Sequence, residues 1–194
     1  MDKNLPILLL KKLSILPTAE VRLELNNELS QKIIEVAQNK YDKKVVVILP
    51  NETKEESLGV SDLPNVGVLC LVKSCVVLPN KNYRVVLKGL NRVKINEYSN
   101  YRYNKSILIG NVKMIYIDNG ESVESIALKK KLISLLKQYI TSSTEVSNSI
   151  LSKINDKMSL DELKDIIVNY IDYQSICEDF QKEILKGIDD IDSF

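Results

Sequence analysis

Residues 66–95 read VGVLCLVKSCVVLPNKNYRVVLKGLNRVKI, two long apolar runs joined by the polar stretch Pro79–Asn82. β-branched residues at this density, broken once by a Pro-Asn turn, specify a β-hairpin. Its first strand is expected from Val66 to Leu78 and its second from Tyr83 to Ile95. Simple alternation puts Val85, Leu87, Val93 and Ile95 on one face, and Arg84, Lys88, Arg92 and Lys94 on the other. Gly67 and Gly89 lie inside these strands. An interior glycine weakens a strand and marks a bulge or a close backbone approach. Strands this long must curl, and kinks are where they do so.

The neighbouring segments supply more sheet. Leu5–Leu10 is a short apolar run, and Val21, Leu23 and Leu25 alternate with Arg22 and Glu24 as a half-buried strand does. Residues 27–39 change period, placing Leu29, Ile33, Val36 and Ala37 on one helical face. Val45–Leu49 has the length and β-branching of a strand buried on both sides. Residues 50–64 have the composition of a surface loop, and Ser106–Ile117 reads as a further strand with its own glycine, Gly110. Several kinked strands with one helix predict a small barrel-like sheet over residues 1–117.

After residue 118 the apolar period becomes helical. Leu128, Leu132, Leu135, Leu136 and Tyr139 mark a helix over about 121–141, and Val146, Ile150 and Ile154 a short one near 145–155. Ser159–Glu162 is a capping box with Met158 and Leu163 placed as its hydrophobic staple. Leu163, Ile166, Ile167, Tyr170 and Ile171 form the stripe of the helix that follows. Ser175–Glu178 repeats the box ahead of Phe180, Ile184 and Ile188. The class is therefore α+β, with a helical bundle expected over 118–194.

Composition excludes much chemistry. The 194 residues include no histidine, the commonest general base and metal ligand. Cys70, Cys75 and Cys177 are an odd number, against a disulfide framework, and neither a metal nor a cofactor is expected. The six glycines are scattered, so no phosphate-binding loop can form. Serine–lysine neighbours such as Ser30/Lys32, Ser134/Lys137 and Ser152/Lys153 sit at surface helical spacing, with no apolar pocket to lower a lysine pKa. A net charge of +1 presents no field to nucleic acid, and Lys129–Lys131 read as solvated lysines. No apolar run spans a bilayer, and the N-terminal run is too short for a signal peptide, so a cytoplasmic protein is expected.

The order of several short motifs resembles the N-terminal domain of the ATP-dependent Lon protease. They are LPIL at Leu5–Leu8, the Leu16–Pro17 pair before a strand, Val66–Gly67, GLNRVKI at Gly89–Ile95, and the helical segments MSLDELKDIIVNYI and DFQKEILKGIDD. The family commonly has a glycine after the proline of the second pair, where this chain has Pro17–Thr18. The resemblance implies a PUA-like barrel joined to a helical bundle. It implies recognition of unfolded or tagged proteins, and self-association as a weak dimer alone and a hexamer in the full-length protease. ATP binding and serine–lysine proteolysis would lie elsewhere in such a protease.

Capture of varied unfolded chains needs adaptable apolar surface. Leu16, Pro17, Val21 and Leu23, beside predicted strands, are the candidates, with Leu58 and Leu63 in the polar loop. Gly67, Gly89 and Arg92 are expected to serve the architecture. Tyr98, Tyr101 and Tyr103 with Arg102 fit either a protein contact or ordinary cross-strand pairing. Two other classes compete: a stand-alone PUA-like RNA-binding module, and an adaptor presenting clients to another machine.

Overall fold

The computed structural model describes residues 3–11, 13, 15–50, 63–115, 122–142, 148–155 and 158–170. The described residues fall into two compact units, one up to Ile115 and the other within Tyr116–Ile176. The first runs β1 (Lys3–Leu9), β2 (Glu20–Leu25), α1 (Glu28–Lys40), β3 (Lys44–Ile48), β4 (Val66–Val77), β5 (Tyr83–Tyr101) and β6 (Asn104–Met114). The strands form a six-stranded sheet in the order β2-β5-β4-β3-β1-β6, and β5 also pairs with β6. Only β1 and β3 are parallel among these pairings.

Length makes this arrangement possible. β5 has 19 residues and lies along β4 up to Lys94. Its other edge carries β2 opposite Tyr83–Lys88 and then β6 opposite Val93–Tyr101. The pairings β5–β4–β3–β1–β6 therefore return to β5, while β2 hangs on the first part of that strand. The expected second strand ended at Ile95; the observed one continues through Tyr98 and Tyr101. The hairpin turn closes with Leu78 N–H on the Asn82 carbonyl at 2.8 Å, and Lys81 N–H on the Leu78 carbonyl at 2.9 Å.

Simple alternation along β5 first fails at Leu90. Gly89 pairs with Cys70 and Asn91 with Leu69, leaving Leu90 as a bulge. An extra residue reverses the parity of everything after it. Val93 and Ile95 join a core with Leu5, Ile7, Val46, Ile48, Leu69 and Val112, a cluster from which Val85 and Leu87 are absent. Arg92, expected on the polar face with Arg84 and Lys88, is instead only 4% exposed.

β3 is buried on both faces, as its unbroken run of β-branched residues requires. Val46 and Ile48 enter the core just described, while Val45 and Val47 are buried on the opposite side. α1 packs on β1 and β3 and buries Ile33, Ile34 and Ala37. The helix starts where Asn27 accepts the Leu29 N–H at 2.7 Å, as an N-cap does.

The second unit contains α2 (Val123–Ser142), a short 3-10 helix (Asn148–Lys153) and α3 (Leu160–Tyr170). Leu136, Ile140, Ile150, Leu163, Ile166 and Ile167 form its core. Leu128 and Leu135, expected on the buried stripe of α2, are exposed, and Ile133 and Ile140 take that face. The capping box forms: Glu162 N–H donates to Ser159 Oγ at 3.1 Å, and Ser159 N–H to Glu162 Oε2 at 2.9 Å. Met158 packs on the core that holds Leu163, completing the staple. The second box at Ser175–Glu178, with Phe180, Ile184 and Ile188, lies outside the described residues.

Candidate substrate-facing surface

The Leu16–Pro17 pair makes a tight turn before β2. Ala19 N–H donates to the Leu16 carbonyl at 3.2 Å, and Thr18 has φ 68°. Proline at the second position and a positive φ at the third define a type II turn. The turn lies on Gly89: Thr18 N–H donates to the Gly89 carbonyl at 3.1 Å, and Gly89 N–H to the Ala19 carbonyl at 2.9 Å. A Cβ on residue 89 would stand 2.2 Å from the Leu16 carbonyl oxygen, so only glycine fits. Gly67 is crowded in the same way, where a Cβ would meet Ile48 Cγ2 at 2.8 Å and the Val47 carbonyl oxygen at 2.9 Å.

These contacts correct the expected exposed patch. Leu16 is 0% exposed and Pro17 is buried, so neither side chain offers surface to a partner. A hydrophobic residue next to a turn motif is expected at the loop surface, but this turn folds inward onto the sheet. Val21 and Leu23 are half-buried on β2. Leu63 is half-buried against the core, and Leu58 lies outside the described residues.

The exposed apolar residues lie elsewhere. Val76 and Val77, at the hairpin end of β4, are 56% and 60% exposed. β4 has 12 residues and its neighbour β3 only five, so the last residues of β4 extend beyond that neighbour. That mismatch in run length was the available sequence signal. Tyr103, 72% exposed, lies in the turn between β5 and β6. The Arg102 guanidinium sits 4.8 Å from its ring centroid, and Tyr101 meets both Tyr41 and Tyr103 edge-on. Tyr98 does not join them; its hydroxyl donates to the Pro64 carbonyl at 2.5 Å.

Charges are arranged across the β2–β5–β4 segment. Glu20 reaches over β5 to Lys73 on β4, at 2.6 Å, and Glu24 accepts from Asn82 at 2.8 Å and Asn80 at 3.3 Å. The Lys73 hydrogen bond holds the Glu20 carboxyl below its ordinary value, and those to Asn82 and Asn80 do the same for Glu24. The Tyr83 hydroxyl donates to Glu35, which raises its pKa. Burial pushes the Cys70 thiol up to about 12, which makes it a poor nucleophile, and burial with the nearby Glu35 charge raises Cys75. Among the described residues no group of histidine, cysteine and acidic side chains could hold a metal, and no helix is long and apolar enough to cross a membrane. What the geometry offers is sheet edge and apolar contact.

Residues 4–176 match the family described as the ATP-dependent protease La (LON) substrate-binding domain. The chain is 28% identical over 169 residues to the Lon protease of Brevibacillus choshinensis, aligning 87% of itself with 21% of that protein. It is 24% identical over 200 residues to Lon protease 1 of Bacillus subtilis (strain 168), aligning 100% of itself with 25% of that protein. It therefore spans about a fifth to a quarter of these relatives. The fold is shared with the N-terminal domain of the Mycobacterium avium complex Lon protease, at a TM-score of 0.67, 18% identity and 97% coverage of both chains. By the extent of the family match, the chain belongs to the Lon substrate-binding domain family.

Proposed function

We propose that this chain is the non-catalytic N-terminal domain of a Lon-type ATP-dependent serine protease of the cytoplasm. In this reading residues 1–117 form a PUA-like small barrel and 118–194 a helical bundle. The closed circuit of pairings through β5, β4, β3, β1 and β6 supports the first; the shared core of α2, the 3-10 helix and α3 supports the second. The domain recognises unfolded or damaged proteins and aids assembly of the oligomer. The observation that carries the reading is the exposed Val76–Val77 pair on a projecting strand, in a family of substrate-binding domains. Apolar surface of this kind binds many sequences because it asks for area and not for a fixed shape.

The test is binding of fluorescently labelled, reduced casein to the purified chain. Binding should persist at high salt, because apolar burial is not screened. Replacing both valines by lysine should weaken it about tenfold, the equivalent of about 1.4 kcal/mol of lost apolar contact, with unchanged circular dichroism. Equal affinity of the variant would overturn this assignment. A steep fall of affinity for RNA with salt, without casein binding, would favour the RNA-binding module.

A further inference from the structure

Among the described residues, the outer edge of β2 is an open backbone template. Among the described residues β2 pairs with β5 and with no other strand. The bond from Gly89 N–H to the Ala19 carbonyl sets the phase of that ladder. Val21, Leu23 and Leu25, opposite Leu87, Val85 and Tyr83, follow it at every second residue and turn their backbone groups toward β5. Glu20, Arg22 and Glu24 then turn their N–H and C=O groups away from it.

Two of the three charged side chains of this strand are drawn off the edge. Glu20 is drawn back across β5 to Lys73, and Glu24 to Asn80 and Asn82 in the hairpin turn. β2 contains no proline, lysine or glycine to blunt it. On its other face Val21 and Leu23 are half-buried, and α1 touches the strand.

We propose that an extended segment of a client polypeptide adds to this edge as a further strand. The proposal rests on the substrate-binding reading and names its mode. Backbone bonds to Glu20, Arg22 and Glu24 would supply attraction independent of sequence. Alternate client side chains would lie beside Val21 and Leu23, which selects segments with an apolar residue at every second position. A second copy of the chain fits less well. Six residues of strand extend only about 20 Å, and a stable dimer buries about 800 Å² on each partner.

The experiment is amide exchange followed by NMR on the full 194-residue chain, with and without a soluble peptide of alternating valine and threonine ended by lysines. Reduced casein binding is measured in parallel. At saturating peptide, exchange at Glu20, Arg22 and Glu24 should slow about tenfold, while Val21 and Leu23, already bonded to β5, should not change. Arg22→Pro removes one outward donor and should weaken peptide binding about tenfold, the equivalent of one lost backbone bond. If that variant fails to fold, the alternating protection in the unaltered chain still decides. Casein binding without alternating protection, or without peptide binding, overturns the strand addition and leaves the substrate reading standing. Failure of both ligands to bind overturns both. Protection that follows protein concentration alone, together with a dimer in sedimentation, assigns the edge to a second copy and overturns the client.

Discussion

The Leu16 carbonyl oxygen occupies the space where a side chain on Gly89 would begin, with 2.2 Å between it and an added Cβ. The obstacle is backbone, and that backbone is tied to residue 89 by the bonds at Thr18 and Ala19. Gly89→Ala should therefore cost about 3 kcal/mol, at the upper end of overpacking effects. Gly110→Ala should cost less, since its Cβ would meet the movable end of Ile7 at 2.7 Å. Urea unfolding of both variants gives the ranking, and equal costs would refute the role assigned to the turn.

Thr18 is a β-branched residue held at φ 68° in a turn position that favours glycine. The left-handed conformation costs about 1–2 kcal/mol in a residue with a Cβ. Glycine removes that strain but gives about 0.5–1 kcal/mol back through the freedom of the unfolded chain. Thr18→Gly should raise stability by about 0.5–1 kcal/mol, read as a higher urea midpoint with the same slope.

Tyr98 couples stability to alkaline pH. Burial raises its phenol well above the ordinary value of 10.0. A group whose folded pKa is raised contributes stability that is complete below its unfolded pKa and is lost as pH rises through the folded one. Stability should therefore fall above about pH 10. Tyr98→Phe removes the bond to the Pro64 carbonyl and should cost about 1 kcal/mol at neutral pH. It should also flatten part of the alkaline decline, leaving the share due to Tyr41, raised by burial, and Tyr83, raised by its bond to Glu35. Urea midpoints between pH 7 and 11 measure both effects.

The reciprocal bonds of Ser159 and Glu162 start α3. Ser159→Ala should lower the stability of the second unit by about 1 kcal/mol. Glu162→Gln, which keeps an acceptor at that position, should cost less. Thermal melting followed by far-UV circular dichroism compares the two.

Strand positions were legible because burial on one or both faces leaves a period in the residues, as in Val45–Leu49 and the Val66–Val77 run. The capping box was legible because it is local: two side chains and two N–H groups within four residues. The bulge at Leu90 was not. It changes no residue type, yet it reverses which side chains of β5 face inward and carries Arg92 into the interior. The Leu16–Pro17 part of the expected patch failed for a related reason. Leu16 and Gly89 are 73 positions apart in sequence, and nothing near Leu16 announces that its turn will rest on a glycine in another strand. Val76 and Val77 looked like ordinary strand residues, because their exposure depends on where β3 stops.

The pairing of Lys3 with Val112 also governs how the chain is made. During synthesis β1 can meet β3 as soon as Ile48 is in place, but its other neighbour ends only at Met114. Closure between such distant segments is slow, because a long loop must be ordered before any contact rewards it. Until Met114 has emerged, a nascent chain shows raw edges on β1 and on the distal part of β5, where a wrong strand could pair.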